Sequence, residues 1–242
     1  MSFIIKIDST NSTNSELKKL RSRQNLPSFS VLVAQKQTSG RGQAGTSWES
    51  EPNKNLTFSV VLYPVNLPAN QGFIISRIFS LAVKETLDKY TNHISIKWPN
   101  DIYYQDKKIC GMLIDNEITG ENISSSIIGI GININQEKFL SDAHNPISLN
   151  QITGKIYNLD KILDCVLHTA KEKYRLFLSG DFSQVRNDYN NALYRKSGYY
   201  TYEDKNGQFQ ACIKEVKDNG TLVLETTSGE IRNYLFKEVR FI

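Results

Sequence analysis

The sequence predicts an α+β fold: a mixed or antiparallel sheet with packed helices, followed by a small C-terminal all-β, barrel-like domain. Three observations predict it. Short runs of strand character crowd the middle of the chain, at residues 30–37, 56–62, 109–116 and 126–133. Close spacing with short turns favours a mixed or antiparallel sheet. Two longer segments, residues 72–90 and 159–178, carry apolar side chains at helical spacing. After about Tyr194 the character changes, and Asn206-Gly207, Asn219-Gly220 and Ser228-Gly229 separate short β-rich runs. The expected division is a main unit over residues 1–193 and a second over 194–242. The second is near the lower size limit for an independent core and is expected to lean on the first.

The elements follow in order. The run from Met1 to Asp8 reads as a first strand and lacks a signal-peptide profile. Thr13-x-x-Glu16 has the form of a capping box that starts a short helix through Leu20. Alternation at Leu56, Phe58, Val60 and Leu62 marks a half-buried strand. In residues 72–90, Ile75, Ile78, Phe79, Ala82 and Val83 share one helical face. The apolar run at 94–96 feeds Lys97, and a hairpin follows with its turn at Gln105-Asp106-Lys107. Leu163, Val166, Leu167, Ala170, Tyr174 and Phe177 line a stripe on the helix at 159–178.

Composition excludes several classes. At 39% hydrophobic and 22% charged, the 242-residue chain suits a soluble globular protein rather than a disordered one. No apolar run reaches the roughly 18 residues that span a bilayer, so no membrane association and a cytoplasmic location are expected. Cys110, Cys165 and Cys212 are odd in number and widely spaced, which points to free thiols rather than a disulfide or zinc site. His93, His144 and His168 are scattered and read as surface or packing residues. A net charge of +4 permits an acidic partner without demanding nucleic acid.

Four segments have unusual chemistry. Residues 8–14, Asp-Ser-Thr-Asn-Ser-Thr-Asn, cluster small hydrogen-bonding side chains after a strand. They can read a polar ligand edge or cap a helix. Next comes Ser39-Gly40-Arg41-Gly42-Gln43-Ala44-Gly45-Thr46-Ser47-Trp48. Its glycines allow close backbone approach and an anion nest, Arg41 adds a fixed charged fork, and Trp48 offers a surface for a ring. That set suits a nucleotide. It is neither a phosphate loop of the Gly-Lys-Ser/Thr kind nor a dinucleotide fingerprint, because no helix is expected to follow. The third segment is Lys97-Trp98-Pro99-Asn100-Asp101, with Lys107-Lys108-Ile109-Cys110-Gly111 beyond the turn. Asn100 and Asp101 offer the hard oxygens that Mg²⁺ prefers, and Lys108 can neutralise a carboxylate or phosphate. The fourth is Gly129-Ile130-Gly131-Ile132-Asn133, where glycines in an apolar strand imply either a close ligand or backbone, or a bulge. No nucleophilic triad can be assembled, so the set reads as one that holds and polarises.

In this order, and over nearly the whole chain, these segments resemble the biotin–protein ligases. The resemblance implies ATP-dependent formation of biotinyl-5′-AMP, then transfer of biotin to a lysine of a biotin carboxyl carrier protein domain of a carboxylase, with Mg²⁺. It implies that Ser12, Thr13 and Gln37 bond the biotin ureido group, with Ser9 and Thr10 as the alternative copy. Gly40, Arg41, Gly42 and Gln43 would close over biotin and the adenylate, and Trp48 would stack on adenine. Lys108 would bridge the biotin carboxylate and the α-phosphate. Lys97, Asn100, Asp101 and Asn133 would organise the nucleotide, with Asp101 and Asn133 toward the metal and Asp101 toward the acceptor amine. Gly111, Gly129 and Gly131 would leave room for biotin. The resemblance thus names Lys108, Arg41 and Asp101 as the catalytic group.

Two departures stand out. Gln43 occupies a position that is usually a second arginine, and Thr46 one that is basic in some members, which implies looser retention of the adenylate. The chain starts directly with the first catalytic strand, so no operator binding is expected. The competing readings are a lipoate or octanoate transferase of the same fold and a non-catalytic biotin or nucleotide sensor. Both a monomer and a homodimer are compatible with the sequence.

Overall fold

The computed structural model describes residues 3–42, 47–140 and 145–242. Gln43, Thr46 and His144 therefore lie outside the described residues. The main sheet has seven strands: β1 (Ile4–Thr10), β2 (Ser30–Gln37), β3 (Leu56–Leu62), β4 (Ile94–Lys97), β5 (Asp101–Tyr104), β6 (Lys107–Thr119) and β7 (Asn122–Ile132). Their order is β1-β2-β3-β7-β6-β5-β4. Only β1 and β2 run parallel, joined by the crossover helix α1 (Thr13–Arg23). Every other pair is antiparallel, so the sheet is mixed.

Strand alternation assigns two faces. Phe58 and Val60 of β3, Ile128, Ile130 and Ile132 of β7, Cys110 of β6 and Ile102 of β5 join the large core. Helices α2 (Phe73–Leu87) and α4 (Leu159–Leu178) pack there. The opposite face presents Val61 and Ile127 to Leu17 of α1. Farther along it carries Thr57 and Ser59, paired with Gly131 and Gly129. β3 is consequently buried along its whole length, not half-buried, because helices cover it from both sides.

Two short helices escaped the periodicity argument, α3 (Leu149–Thr153) and α5 (Phe182–Asn191). After α5 the chain runs beside β4, where Ile96 N donates to Ala192 O and Tyr194 N to Ile96 O. It then forms the second sheet: β8 (Tyr200–Asp204), β9 (Gly207–Val216), β10 (Leu222–Thr226), β11 (Ile231–Tyr234) and β12 (Arg240–Phe241). All pairs are antiparallel, in the order β11-β10-β9-β8-β12. The two sheets share one apolar core. Arg77 of α2 is only 2% exposed and ties them together. Its guanidinium donates to Val216 O, Lys217 O and Asp218 Oδ1 at 2.6, 3.0 and 2.7 Å. No helix among the described residues is long and apolar enough to cross a membrane.

Candidate active site

One cavity of about 380 Å³ opens on the α1 face of the main sheet. That volume suits a small-molecule site. The glycine-rich stretches form its floor. Gly111 and Gly131 are directly paired across β6 and β7, and the register is regular there, which removes the bulge explanation for these glycines. A Cβ at Gly131 would stand 2.4 Å from Cε2 and Nε1 of Trp48, and one at Gly129 would stand 2.3 Å from Asn14 Oδ1. The bare backbone thus lets the indole and the Asn14 amide sit directly on the sheet.

The polar end of the cavity is built at the start of α1. Ser12 is the N-cap residue but makes no side-chain cap hydrogen bond, so the cap lies one residue before the expected Thr13. Gln37 of β2 takes over the capping role: its Oε1 accepts from Thr13 N at 2.9 Å and from Thr13 Oγ1 at 3.2 Å. Because the backbone N–H can only donate, the Gln37 amide orientation is fixed, leaving its Nε2 free to donate. Ser59 Oγ lies 2.8 Å from Thr13 Oγ1 and 2.6 Å from Asn14 Oδ1. Asn14 Nδ2 donates to Asp115 Oδ2 at 2.9 Å and Leu113 O at 3.2 Å. Ser12, Thr13, Asn14 and Gln37 all line the cavity. Ser9, from the first Ser-Thr-Asn copy, is exposed on β1 instead, and Thr10 is absent from the wall.

The charged end depends on a local irregularity. Asp101 pairs with Gly111 and Ile102 with Cys110, but Tyr103 pairs with Lys108, so Ile109 is the extra residue of a β-bulge. Strict alternation would put Lys108 on the face opposite Gly111. The bulge inverts the parity, sends both Ile109 and Cys110 into the core, and brings Lys108 to the cavity. Residues 145–147 clamp this geometry: Lys108 N donates to Asn145 O and Ile147 N to Lys108 O. Lys108 Nζ then stands 2.7 Å from Asp101 Oδ2 and 5.8 Å from the centre of the Trp48 ring.

The glycine loop is tied at its base. Trp48 N donates to Gly40 O at 3.0 Å, and Arg41 bridges Ser47. Arg41, Gly42, Ser47 and Trp48 line the cavity, whereas Gly40 lies outside its wall. The indole Nε1 is buried without a partner.

Of the Lys97–Asp101 run, Asp101 alone lines the cavity. The other four residues lie outside its wall. Lys97 donates to Tyr103 Oη at 3.1 Å and lies under the rings of Tyr103 and Phe241. Burial lowers its pKa, against the attraction of Asp101. Trp98 Nε1 donates to Gly220 O at 2.9 Å, and the Trp98–Pro99 bond is cis. The Pro99 carbonyl accepts from Tyr189 Oη and Ser76 Oγ. Asn100 Nδ2 donates to Met112 O at 2.6 Å. Asn133 also stands outside the wall, with its Oδ1 buried and unpartnered. Lys97, Asn100 and Asn133, expected at the nucleotide, thus stand outside the wall of this cavity: Lys97 and Asn100 hydrogen-bond within the sheet, and the Asn133 amide oxygen has no partner.

Sequence reasoning missed Asn14, Ser47, Thr57, Met112, Leu113, Ile130 and Lys237 in the lining. Asn14 was accessible, because it completes the same Ser-Thr-Asn triplet. Lys237 had no local signal, since it comes from the second sheet.

The chain matches the biotin/lipoate A/B protein ligase family over residues 6–133. It belongs to that family. A Bacillus subtilis protein named bifunctional ligase/repressor BirA is 28% identical over 227 residues, covering 92% of this chain and 68% of the relative. The Paracoccus denitrificans biotin–[acetyl-CoA-carboxylase] ligase is 26% identical, covering 91% of this chain and 93% of its own length. Among solved structures, the Aquifex aeolicus biotin protein ligase in complex with biotin and ATP aligns over 100% of both chains. Its TM-score is 0.81 at 27% identity. The family assignment thus coincides with the strands and glycines that build the cavity floor.

Proposed function

We propose that the chain is an ATP-dependent biotin–protein ligase that forms biotinyl-5′-AMP and passes the biotinyl group to a lysine of a carboxylase's carrier domain. The observation that carries this reading is the joint content of one cavity: an ordered neutral hydrogen-bond set, an apolar glycine floor and a cationic group. Biotin needs the first two, being an apolar chain with one polar ring. Bringing its carboxylate to a phosphate needs the third.

Ser12, Thr13 and the free Gln37 Nε2 bind the ureido group in this scheme, and Asn14 fixes the wall behind them. Lys108 lies between the biotin carboxylate and the α-phosphate and lowers their repulsion during attack. Asp101 aims Lys108 and, in the second step, accepts a hydrogen bond from the incoming amine. Arg41 and the loop amides retain the adenylate and keep water from the anhydride. Trp48 supplies the ring surface for adenine. The donor set fits Mg²⁺ held chiefly by phosphates and water, the usual mode for this ion. Among the described residues there is no cluster of three metal-binding side chains, and Asp101 is the single carboxylate of the wall. Asp101 would hold the ion, which would neutralise phosphate charge.

One incubation tests the assignment: the chain with ATP, Mg²⁺, a biotin carboxyl carrier domain and either biotin or lipoate, read by intact mass of the carrier. Modification with biotin alone is expected. Modification with lipoate alone, or ligand binding without transfer, would overturn it.

A further inference from the structure

Lys237 is the cavity residue that no motif accounts for. It sits in the turn between β11 and β12 with φ of 70°, a backbone region that non-glycine residues rarely adopt. The turn is held from two directions. Its Phe236 ring packs 5.4 Å from Trp98 and 6.2 Å from Phe73. Within it, Leu235 N donates to Glu238 Oε2 at 2.7 Å and Glu238 N to Leu235 O at 3.2 Å. Trp98 is itself bonded to Gly220, where a Cβ would meet Phe73 at 2.8 Å. The Lys97–Asp101 run thus seats the second sheet against the main one, and the seated turn presents Lys237 to the cavity.

The charge balance there leaves a cation over. Arg41, Lys108 and Lys237 face the lone carboxylate of Asp101, which Lys108 occupies. No carboxylate among the described residues forms an ion pair with Lys237. Lys237 also borders a second cavity, where Glu203, Asp204 and Glu238 are offset by Arg240, Lys205 and the Arg232 that pairs with Asp204. The net positive charge therefore lies on the first-cavity side.

We propose that Lys237 is a substrate-binding residue of the adenylation step, engaging the β- and γ-phosphates of ATP and the pyrophosphate they become. This rests on the ligase reading above. In that step a biotin carboxylate oxygen bonds to the α-phosphorus, the bond to the bridging oxygen breaks, and the electron pair leaves on pyrophosphate. No proton is exchanged. Lys108 serves the attacking side, so the leaving side needs a separate cation. An unpaired lysine on a flexible stem is suited to follow it.

Lys237→Asn removes the charge while tolerating the left-handed backbone, and Lys237→Arg keeps the charge. Biotin-dependent pyrophosphate release is measured against ATP concentration. Transfer is measured separately, from purified biotinyl-5′-AMP to the carrier without ATP. Lys237→Asn is expected to raise the KM for ATP about tenfold, the loss of one charge-assisted contact, with transfer unchanged and Lys237→Arg near wild type. An unchanged KM overturns the proposal. Loss of transfer from the preformed adenylate with a normal KM assigns the lysine to carrier docking instead, and equal loss of both steps in both variants makes it a brace; either overturns the proposal. Failure of the wild type in both assays would refute the ligase reading itself.

Discussion

Lys97 and Lys108 flank the same hairpin and feel the same carboxylate, yet they have opposite fates. Lys97 opposes Asp101 across β4 and β5. Lys108 reaches Asp101 from β6 and faces the cavity. Lys97 is instead roofed by Tyr103 and by Phe241 of the second sheet. A basic residue inside a motif therefore says little about its role until the neighbours that cover it are known. Burial lowers the pKa of Lys97, while Lys108 lines the cavity where an anionic ligand can reach it.

The sharpest way to break this contrast is Lys108→Met. Adenylation is expected to fall by about a hundredfold or more, read as biotin-dependent pyrophosphate release, with the fold retained. Activity within a few-fold of wild type would remove Lys108 from the chemistry. Next in size is Gly131→Ala, which drives a methyl group into the Trp48 indole. The expected cost is about 1–3 kcal/mol in unfolding free energy, with weakened ATP binding because Trp48 loses its seat. An unchanged urea midpoint together with an unchanged ATP affinity would show that the indole has another place to go.

Lys97→Met should behave in the other direction. The expected kcat/KM stays within about twofold of wild type, and thermal stability at neutral pH is equal or higher. The sign follows from linkage. The folded pKa of Lys97 is below its ordinary 10.5, so the unfolded chain binds the proton more readily. Wild-type stability therefore gains from this group as pH rises through the lowered pKa toward 10.5. The advantage of Lys97→Met should shrink over that window, and urea unfolding at several pH values measures it. A gap independent of pH would mean that packing, not charge, sets the difference.

The smallest effect concerns an ion pair that supports the site from outside. Arg21 of α1 donates to Glu117 of β6 at 2.5 Å, and Lys18 lies 3.3 Å from the same carboxylate. The Arg21 hydrogen bond lowers the Glu117 pKa to about 2. A depressed carboxylate stabilises fully above its unfolded pKa near 4.5 and loses that stability as pH falls toward about 2. Glu117→Gln should cost about 1 kcal/mol or less, since the pair is partly exposed. Its urea midpoint should approach that of the wild type below pH 4.5; a constant difference down to about pH 2 would contradict this origin.

The legible parts of the chain were those whose signal is local. The helix Leu159–Leu178 and the strand Ser30–Gln37 have the bounds read from the sequence; in the helix one apolar stripe carries the pattern. The bounds of α2 are shorter than its apolar pattern, and β3 gave only half its burial, because its second cover comes from a distant helix. Ser12, Thr13, Gln37, Arg41, Asp101 and Lys108, expected from residue type and resemblance, line the cavity. Lys97, Asn100 and Asn133 were expected with them but lie outside the cavity wall.

By itself the sequence determined the longer helices, most strands of the main sheet, the turn glycines of the second sheet and part of the chemical inventory of the cavity. Each of these depends on residues near one another in the chain. Tertiary structure decided direction and access. A single unpaired residue, Ile109, puts Lys108 on the working face. Phe241 covers Lys97, and the seating of Phe236 on Trp98 brings Lys237 to the same cavity. Strand parity and desolvation depend on which partners arrive from elsewhere in the fold, so local pattern does not carry them.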